Sequence, residues 1–257
     1  MDVVTPRDYP VERPAPRGPS LFRVTLIDPA QVPDVQRVLS PARFRPYLSN
    51  YPNRADLALR LYAWNSALSS ALWGPLGILE VTVRNALHEQ LAERTSRPDW
   101  WNDQCLWDVL LPSERRGIDE AKSSLALRGR AAPTADDVVA ATSMGLWTGL
   151  LSEGRARHPL HNYEGNLWRP RLQKAFPLYN GSRKHLHSQL KELKDIRNRV
   201  AHHEPIFKVR LDRIVDMVAT IVGYFSHDAE RYVREGERVT EVAGRKREFI
   251  AEGNAFL

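Results

Sequence analysis

The stretch "RADLALRLYAWNSALSSALWGPLGILEVTVRNALHEQLAER", residues 54–94, decides the fold class. Its apolar residues recur at steps of three and four, the period of one face of an α-helix. Gly74 and Pro75 interrupt this pattern, and proline is accepted in the first turn of a helix but disfavoured in its interior. We therefore predict two consecutive helices that separate at Gly74-Pro75. The apolar stripe consists of Leu57, Leu61, Trp64, Leu68 and Leu72 before the break, and of Leu76, Leu79, Val83, Leu87 and Leu91 after it.

Further helical patterns cover most of the remaining chain. Leucines at 186, 190 and 193 form the stripe of a helix that begins after Ser182, a residue type favoured as an N-cap. Pro205 is expected to open a long amphipathic helix over residues 205–233. Because alternating strand patterns are scarce, the sequence predicts an all-α fold, a bundle of antiparallel helices.

Composition divides the chain into three parts. Residues 1–33 hold seven of the 18 prolines and almost no periodic apolar pattern. Such a segment is typical of an extended arm, which we place at residues 1–35 and expect to be partly disordered. The helical domain is predicted to span 36–236, and residues 237–257 are expected to form a tail or a short terminal helix.

Cysteine content and hydropathy limit the cellular setting. The single cysteine, Cys105, excludes an intrachain disulfide framework and a cysteine-based zinc cluster. The N-terminus has no apolar signal-peptide core, so we expect a cytoplasmic protein. Residues 61–79 carry no charge, but they contain Asn65, three serines and the Gly-Pro break. These features favour buried helices over a membrane span, which needs about 20 predominantly apolar residues.

The positive charge of the chain is concentrated in one segment. The formal net charge is +6, and the window 183–213 contains nine Lys/Arg against four Asp/Glu, a local excess of +5. A phosphate-bearing partner such as RNA is the natural complement of such a patch. The alternative is a solvated basic helix face without a ligand.

The segment "IRNRVAHHEPI", residues 196–206, carries the strongest chemical pattern in this window. Pro205 forces the helix to end near 201–204, next to the two histidines. Histidine can move the proton of a ribose 2′-OH or of a leaving 5′-oxygen, and arginine can hold the phosphate oxygens. Arg197, Asn198 and His202 together are therefore candidates for metal-independent cleavage of RNA, with no cofactor.

Residues 197–206, "RNRVAHHEPI", resemble the signature of Abi-like proteins of bacterial abortive infection, which belong to the HEPN superfamily of helical ribonucleases. Residues 60–87 are similar to the N-terminal helices of the same family, and the likeness extends over roughly residues 40–225. The resemblance implies a helical bundle that dimerises so that two motifs face a shared cleft. It also implies RNA cleavage that leaves a cyclic phosphate and a 5′-hydroxyl.

The resemblance also assigns roles to individual residues. Arg197 corresponds to the motif arginine, Asn198 to its polar neighbour and His202 to its histidine. His203 is the adjacent alternative, because the motif tolerates variable spacing. One HEPN subgroup has a tyrosine two residues after the histidine, which a partner nucleotidyltransferase modifies. Glu204 occupies that position here, so this form of regulation is not expected.

A second polar set lies on the segment after Pro75. Glu80, Arg84, Asn85 and His88 fall at helical spacing, and Glu80–Arg84 and Arg84–His88 are i,i+4 pairs. One interpretation is a structural salt-bridge network. The other is support for the motif or contact with RNA, with Glu80 as the partner of Arg197 in the absence of RNA.

Two cations beside the motif, Arg199 and Lys194, are further candidates for RNA contact. The histidines at 158, 161, 185 and 187 do not predict a metal site, because no carboxylate cluster accompanies them.

The sequence thus predicts a metal-independent endoribonuclease of bacterial antiphage defence or of toxin type. We expect it to be a homodimer, with a possible antitoxin or other regulatory partner and no membrane association. The alternative is a non-catalytic module that uses the same basic helix to bind RNA or a protein.

Overall fold

The computed structural model describes residues 29–130 and 132–253, and within these ranges the chain is helical without a β-strand. An isolated bridge joins Gly154 to Asn162. This confirms the all-α fold class. The helices are α1 (Val32–Leu39), α2 (Pro41–Leu48), α3 (Ala55–Thr95), α4 (Gln104–Val109), α5 (Pro112–Leu127), α6 (Ala135–Ala141), α7 (Met144–Leu150), α8 (Arg183–Ala201), α9 (Leu211–Gly223), α10 (His227–Gly236), α11 (Val239–Gly244) and α12 (Lys246–Glu252). Short 3-10 turns lie at Pro29–Gln31, Trp100–Asn102 and Leu172–Ala175, and a π-helical turn lies at Glu164–Trp168.

The predicted break at Gly74-Pro75 is wrong, because α3 is one helix of 41 residues with Pro75 in its interior. An interior proline removes one backbone hydrogen bond and costs about 3 kcal/mol. The apolar stripe explains why the helix continues. Leu72 and Leu76 are four residues apart, so the two halves of the stripe share one face, and both side chains are almost fully buried. Burial of the stripe on both sides of Pro75 outweighs the local cost of the proline.

α3 is the central helix of the molecule. At 1.5 Å per residue it is about 60 Å long, and it contacts α1, α2, α6, α7, α8, α9, α11 and α12. The predicted stripe is buried from Leu61 to Leu91, and Leu57 at its start is half-buried. By length and composition alone, α3 is also the one helix in the described ranges that could cross a membrane.

The prediction of one long helix over 205–233 is also wrong, because α9 and α10 are separate helices. α9 begins only at Leu211, and the backbone N–H groups of Ile206 and Phe207 in the preceding turn donate to the Asn65 side chain. A second interruption follows at Ser226, whose side chain caps the start of α10 by accepting from the Ala229 N–H. At this second interruption a polar side chain satisfies a backbone N–H that a continuous helix would use internally.

Helical structure continues past both boundaries of the predicted domain. Residues 1–28 lie outside the described residues, and the end of the predicted arm, 29–35, contains a 3-10 turn and the start of α1. The predicted C-terminal tail contains α11 and α12, which pack on α3. Trp64 Nε1 donates to the Val242 carbonyl at 2.9 Å, and Arg60 Nη1 donates to the Ile250 carbonyl at 2.9 Å.

Candidate functional site

The motif lies at the C-terminal end of α8, and local sequence signals define both ends of that helix. Ser182 caps its start by accepting from the His185 N–H at 3.2 Å, as predicted. The helix ends at Ala201, ahead of Pro205, also as predicted. The leucine stripe of α8 is buried and continues through Ile196 and Val200. Arg197 therefore lies at the edge of the buried face.

The two histidines form the turn that ends α8. His203 N–H donates to the Val200 carbonyl at 3.1 Å, and Glu204 N–H donates to the Arg199 carbonyl at 2.8 Å. This is the pair of backbone bonds of a Schellman motif, in which the residue at the position of His203 adopts a left-handed conformation. His203 has φ +54°, a position that usually favours glycine or asparagine.

Three side chains fix the segment around the histidines. Arg43 of α2 donates through Nη1 to the carbonyls of His202, at 2.9 Å, and His203, at 2.7 Å. These carbonyls lie just beyond the helix, where a cation is favoured by the helix dipole. Arg199 donates to the Pro205 carbonyl. Asn65, 3% exposed, accepts the N–H of Ile206 at 2.7 Å and that of Phe207 at 3.1 Å.

The Arg197 guanidinium lies between α8 and α3. Its Nε is 3.1 Å from Glu80 Oε2, so the predicted ion pair is present. Its Cζ lies 5.5 Å from the centroid of the Trp73 ring, within the range of a cation–π interaction. Nη1 and Nη2 make no hydrogen bond to any residue in the described ranges. That edge of the guanidinium is therefore available to an anion.

A pocket of about 510 Å³ separates the end of α8 from α3. Val200, Ala201 and His203 line it on the α8 side. The opposite wall belongs to α3 and consists of Tyr62, Asn65, Ser66, Ser69, Ser70 and Trp73. Both histidines are exposed, but His203 lines the pocket, whereas His202, the first choice from sequence, does not.

The other predicted site residues near the motif are spread around α8. Asn198 is exposed, and its carbonyl accepts the His202 N–H at 2.9 Å. Lys194 lies 3.8 Å from the Asp195 carboxylate on the same helix. Neither residue lines the pocket, so a role for either would have to be in contacts outside it.

The second polar set does not form the ion-pair network that its spacing allows. In the described ranges Glu80 pairs with Arg197 on α8 instead of with Arg84. Arg84 donates to Asn85 Oδ1 at 3.4 Å and to the Ala140 carbonyl at 3.3 Å. His88 accepts from Trp100 Nε1 at 3.1 Å through Nδ1, and burial lowers the pKa of its imidazole. His88 is therefore a structural acceptor away from the motif.

Sequence reasoning missed three residues of this site. Trp73 has no sequence pattern that separates it from a core tryptophan, but it is 48% exposed and lines the pocket. Asn65 was noted only as a polar residue in an apolar segment, and that was the available signal for a buried hydrogen-bonding role. Arg43 gave no signal, because its contacts join residues 159 and 160 positions apart.

The arrangement places a histidine and an exposed indole at one pocket, and a partly free guanidinium beside that indole. Such a set can transfer a proton and hold a phosphate beside an apolar surface. No group of three His, Cys, Asp or Glu side chains that could hold a metal occurs among residues 29–130 and 132–253. Comparisons with models of known families, with curated proteins and with solved structures found no match to this chain.

Proposed function

We propose that the chain is a metal-independent endoribonuclease of the HEPN, Abi-like type. The observation that supports this most directly is that His203 and Trp73 line one pocket between α8 and α3, with the Arg197 guanidinium 5.5 Å from the Trp73 ring. The basic excess of residues 183–213 supports an RNA substrate, because phosphate contacts dominate the affinity of proteins for nucleic acids.

RNA supplies the nucleophile in the proposed reaction. The ribose 2′-oxygen attacks the adjacent phosphorus, and the bond from phosphorus to the 5′-oxygen breaks. A base takes the 2′-OH proton and an acid protonates the leaving oxygen, so the products are a 2′,3′-cyclic phosphate and a 5′-hydroxyl. We assign proton transfer to His203, with His202 as the alternative. Arg197 holds the phosphate through Nη1 and Nη2 and stabilises the charge that develops on it.

A homodimer is part of this proposal. Proton removal and proton donation are two tasks, and a second copy of the motif can supply the second group. Gly77 and Val81 continue the face of Trp73 along α3 at four-residue steps, and Val81 is 44% exposed. A second copy that packs on Gly77 and Val81 and leaves the Trp73 ring open would bring its own motif close to the pocket.

The proposed biological setting is bacterial antiphage defence or a toxin that acts in the cytoplasm under the control of an antitoxin or another regulatory partner. This part rests on the resemblance of residues 197–206 and 60–87 alone. Induced expression in bacteria should arrest growth, and the His203→Ala variant should not. Normal growth on expression of the unsubstituted protein, or equal arrest by the His203→Ala variant, would contradict the toxin assignment.

The experiment that tests the enzymatic proposal is cleavage of total RNA by the purified full chain in excess EDTA, with identification of the new ends. Arg197→Ala and His203→Ala should each reduce cleavage by about 100-fold or more. His185→Ala, which removes an exposed histidine from the other end of α8, is the matched control and should leave cleavage unchanged. If His202→Ala rather than His203→Ala abolishes cleavage, His202 carries the proton.

The competing function is a non-catalytic module that binds RNA or a protein. The Glu80–Arg197 ion pair favours it, because Glu80 partly neutralises the cation that would hold the phosphate. Binding of RNA without any cleavage, and without effect of the histidine variants, would support the module and reject the enzyme. Cleavage that survives all of these substitutions would reject the assigned site.

A further inference from the structure

We infer that the pocket at His203 is a base-binding subsite, which accepts one unpaired nucleobase next to the phosphate held by Arg197. The inference rests on the proposed function for the identity of the ligand as RNA. It goes further by assigning the contact that selects single-stranded over paired RNA.

The chemistry of the pocket wall fits a flat, uncharged ligand. A volume of about 510 Å³ lies within the range of small-molecule sites and exceeds the needs of a water cluster. In the part of the chain that the structure describes, the lining residues include no carboxylate, lysine or arginine, and their only titratable groups are His203 and the Tyr62 phenol. A phosphate would have no cation inside the pocket, so the phosphate belongs at its rim with Arg197.

The polar groups of the wall are neutral hydrogen-bonding groups. Ser66 Oγ donates to the Tyr62 carbonyl at 3.2 Å, and Ser69 Oγ donates to the Asn65 carbonyl at 2.9 Å. Because these bonds use the hydroxyl protons, the two oxygens retain lone pairs for a donor on a ligand. Nucleobases combine an apolar face with such donors at the edge.

Trp73 provides the stacking surface. An indole that is 48% exposed beside a pocket leaves a large apolar area in water, and bases stack on such rings in proteins that bind single strands. The Arg197 Cζ at 5.5 Å from this ring places the anion-binding group directly beside the base site. Base and phosphate of one nucleotide are joined through a single ribose, so one nucleotide can occupy both positions.

The occupant must be unpaired. A base within a duplex is covered on both faces by its neighbours and has its pairing edge engaged, so it has to leave the stack before it can enter a pocket. The pocket lies between two helices of the protein, which a duplex cannot enter. The proposed enzyme should therefore act on loops, bulges and single strands.

The test is binding of the full chain to a short single-stranded 2′-O-methyl oligonucleotide, which cannot be cleaved because its 2′-oxygen is blocked. The comparison ligand is an abasic strand of equal length and charge, measured at the same ionic strength. Loss of the bases should weaken binding by about 5- to 100-fold, the range expected for stacking of one base. Annealing the oligonucleotide to its complement should weaken binding as well.

The decisive variant is Trp73→Ala. It should bind the base-containing strand about 5- to 100-fold more weakly, and it should no longer distinguish that strand from the abasic one. Tyr232→Ala is the matched control, since it removes an aromatic ring that is 69% exposed on α10, away from the pocket lining. This control should behave as the unsubstituted protein.

Equal affinity of the unsubstituted protein for both strands would overturn the inference. A Trp73→Ala variant that still distinguishes the base-containing strand from the abasic one would also overturn it. So would a Trp73→Ala variant in which only the mass measured by sedimentation changes, because Trp73 would then belong to a subunit contact. These outcomes are separable from the fate of the proposed function, because the ligand requires no catalysis. Base-dependent binding without RNA cleavage would sustain the subsite and reject the ribonuclease, and cleavage without base-dependent binding would do the reverse.

Discussion

The Glu80 carboxylate on α3 lies 3.1 Å from Nε of Arg197 on α8, although the two residues are 117 positions apart. This pair ties the candidate motif to the central helix. It also occupies one edge of the guanidinium and leaves the other edge available to a phosphate. The side chains are 16% and 30% exposed, so solvent only partly screens the interaction.

Glu80→Gln should tighten the binding of uncleavable RNA by about 2- to 5-fold at low salt, because it removes a negative charge beside the phosphate site while keeping a hydrogen-bond acceptor. Fluorescence titration measures the affinity. Glu89→Gln removes the same charge from an exposed position of α3 and is the control. If the two variants bind RNA equally, net charge alone explains the effect and Glu80 has no specific influence on Arg197.

Substitution by glycine should have opposite effects on stability at the two adjacent histidines. His203 has φ +54°, so His203→Gly relieves backbone strain and should stabilise the fold by about 1 kcal/mol relative to His203→Ala. His202 has φ −94°, where glycine gains nothing and its extra freedom when unfolded should cost about 0.5–1 kcal/mol relative to alanine. Urea denaturation measures both differences.

His203→Gly also separates structure from chemistry, because it keeps the turn while removing the imidazole. The proposed function requires that this stable variant has lost RNA cleavage. Full cleavage activity in His203→Gly would exclude His203 as the group that moves the proton.

Asn65→Ala should lower the free energy of unfolding by about 2–3 kcal/mol, because it leaves the buried N–H of Ile206 and the N–H of Phe207 without their acceptor. The adjacent turn should also lose its fixed position, so cleavage should fall together with stability. Ser69→Ala is the control. Among the described residues its hydroxyl bonds only to a carbonyl of its own helix, and its removal should cost well under 1 kcal/mol. A loss in Ser69→Ala as large as that in Asn65→Ala would contradict this account.

The stability of the fold should fall on mild acidification because of His88. Burial lowers the pKa of this imidazole below its ordinary 6.5. The unfolded chain then binds a proton more readily than the folded chain. The contribution of neutral His88 to the free energy of unfolding is complete above about pH 6.5. It is lost as the pH falls through the lower pKa that His88 has in the folded state.

His88→Gln keeps an acceptor for Trp100 Nε1 and should flatten part of this pH dependence in thermal unfolding. Burial, together with Arg183, Lys191 and Lys194, also lowers the pKa of His187, so this residue acts in the same direction. The His88→Gln,His187→Gln double variant should therefore be flatter than either single variant. An unchanged pH profile in the double variant would show that other groups dominate.

Several features of the site could be predicted from sequence because their causes are local. Ser182 caps α8 and Pro205 ends it through contacts within a few residues, and both effects are properties of residue type. The Glu80–Arg197 pair followed from a weaker argument, that a cation at the edge of a buried stripe needs a partner. The all-α class followed from the leucine periodicity of 54–94.

Prediction from local sequence failed at Pro75, where tertiary packing outweighs the local effect of the residue. Pro75 is a helix breaker by residue type, yet the stripe keeps its helical phase from Leu72 to Leu76 and is buried on both sides. The helical periodicity of the apolar residues is visible in the sequence. The stabilisation of the helix across Pro75, however, comes from packing against helices elsewhere in the chain.

The sequence by itself determined the helical class, the position of the motif at a helix end and the concentration of positive charge around it. Only the tertiary structure decided that His203 rather than His202 enters the pocket, and that Trp73 lies beside Arg197. The reason is that Arg43 and Asn65 hold the turn after α8 through hydrogen bonds that span 160 and 141 positions, and such pairings leave no periodic trace along the chain.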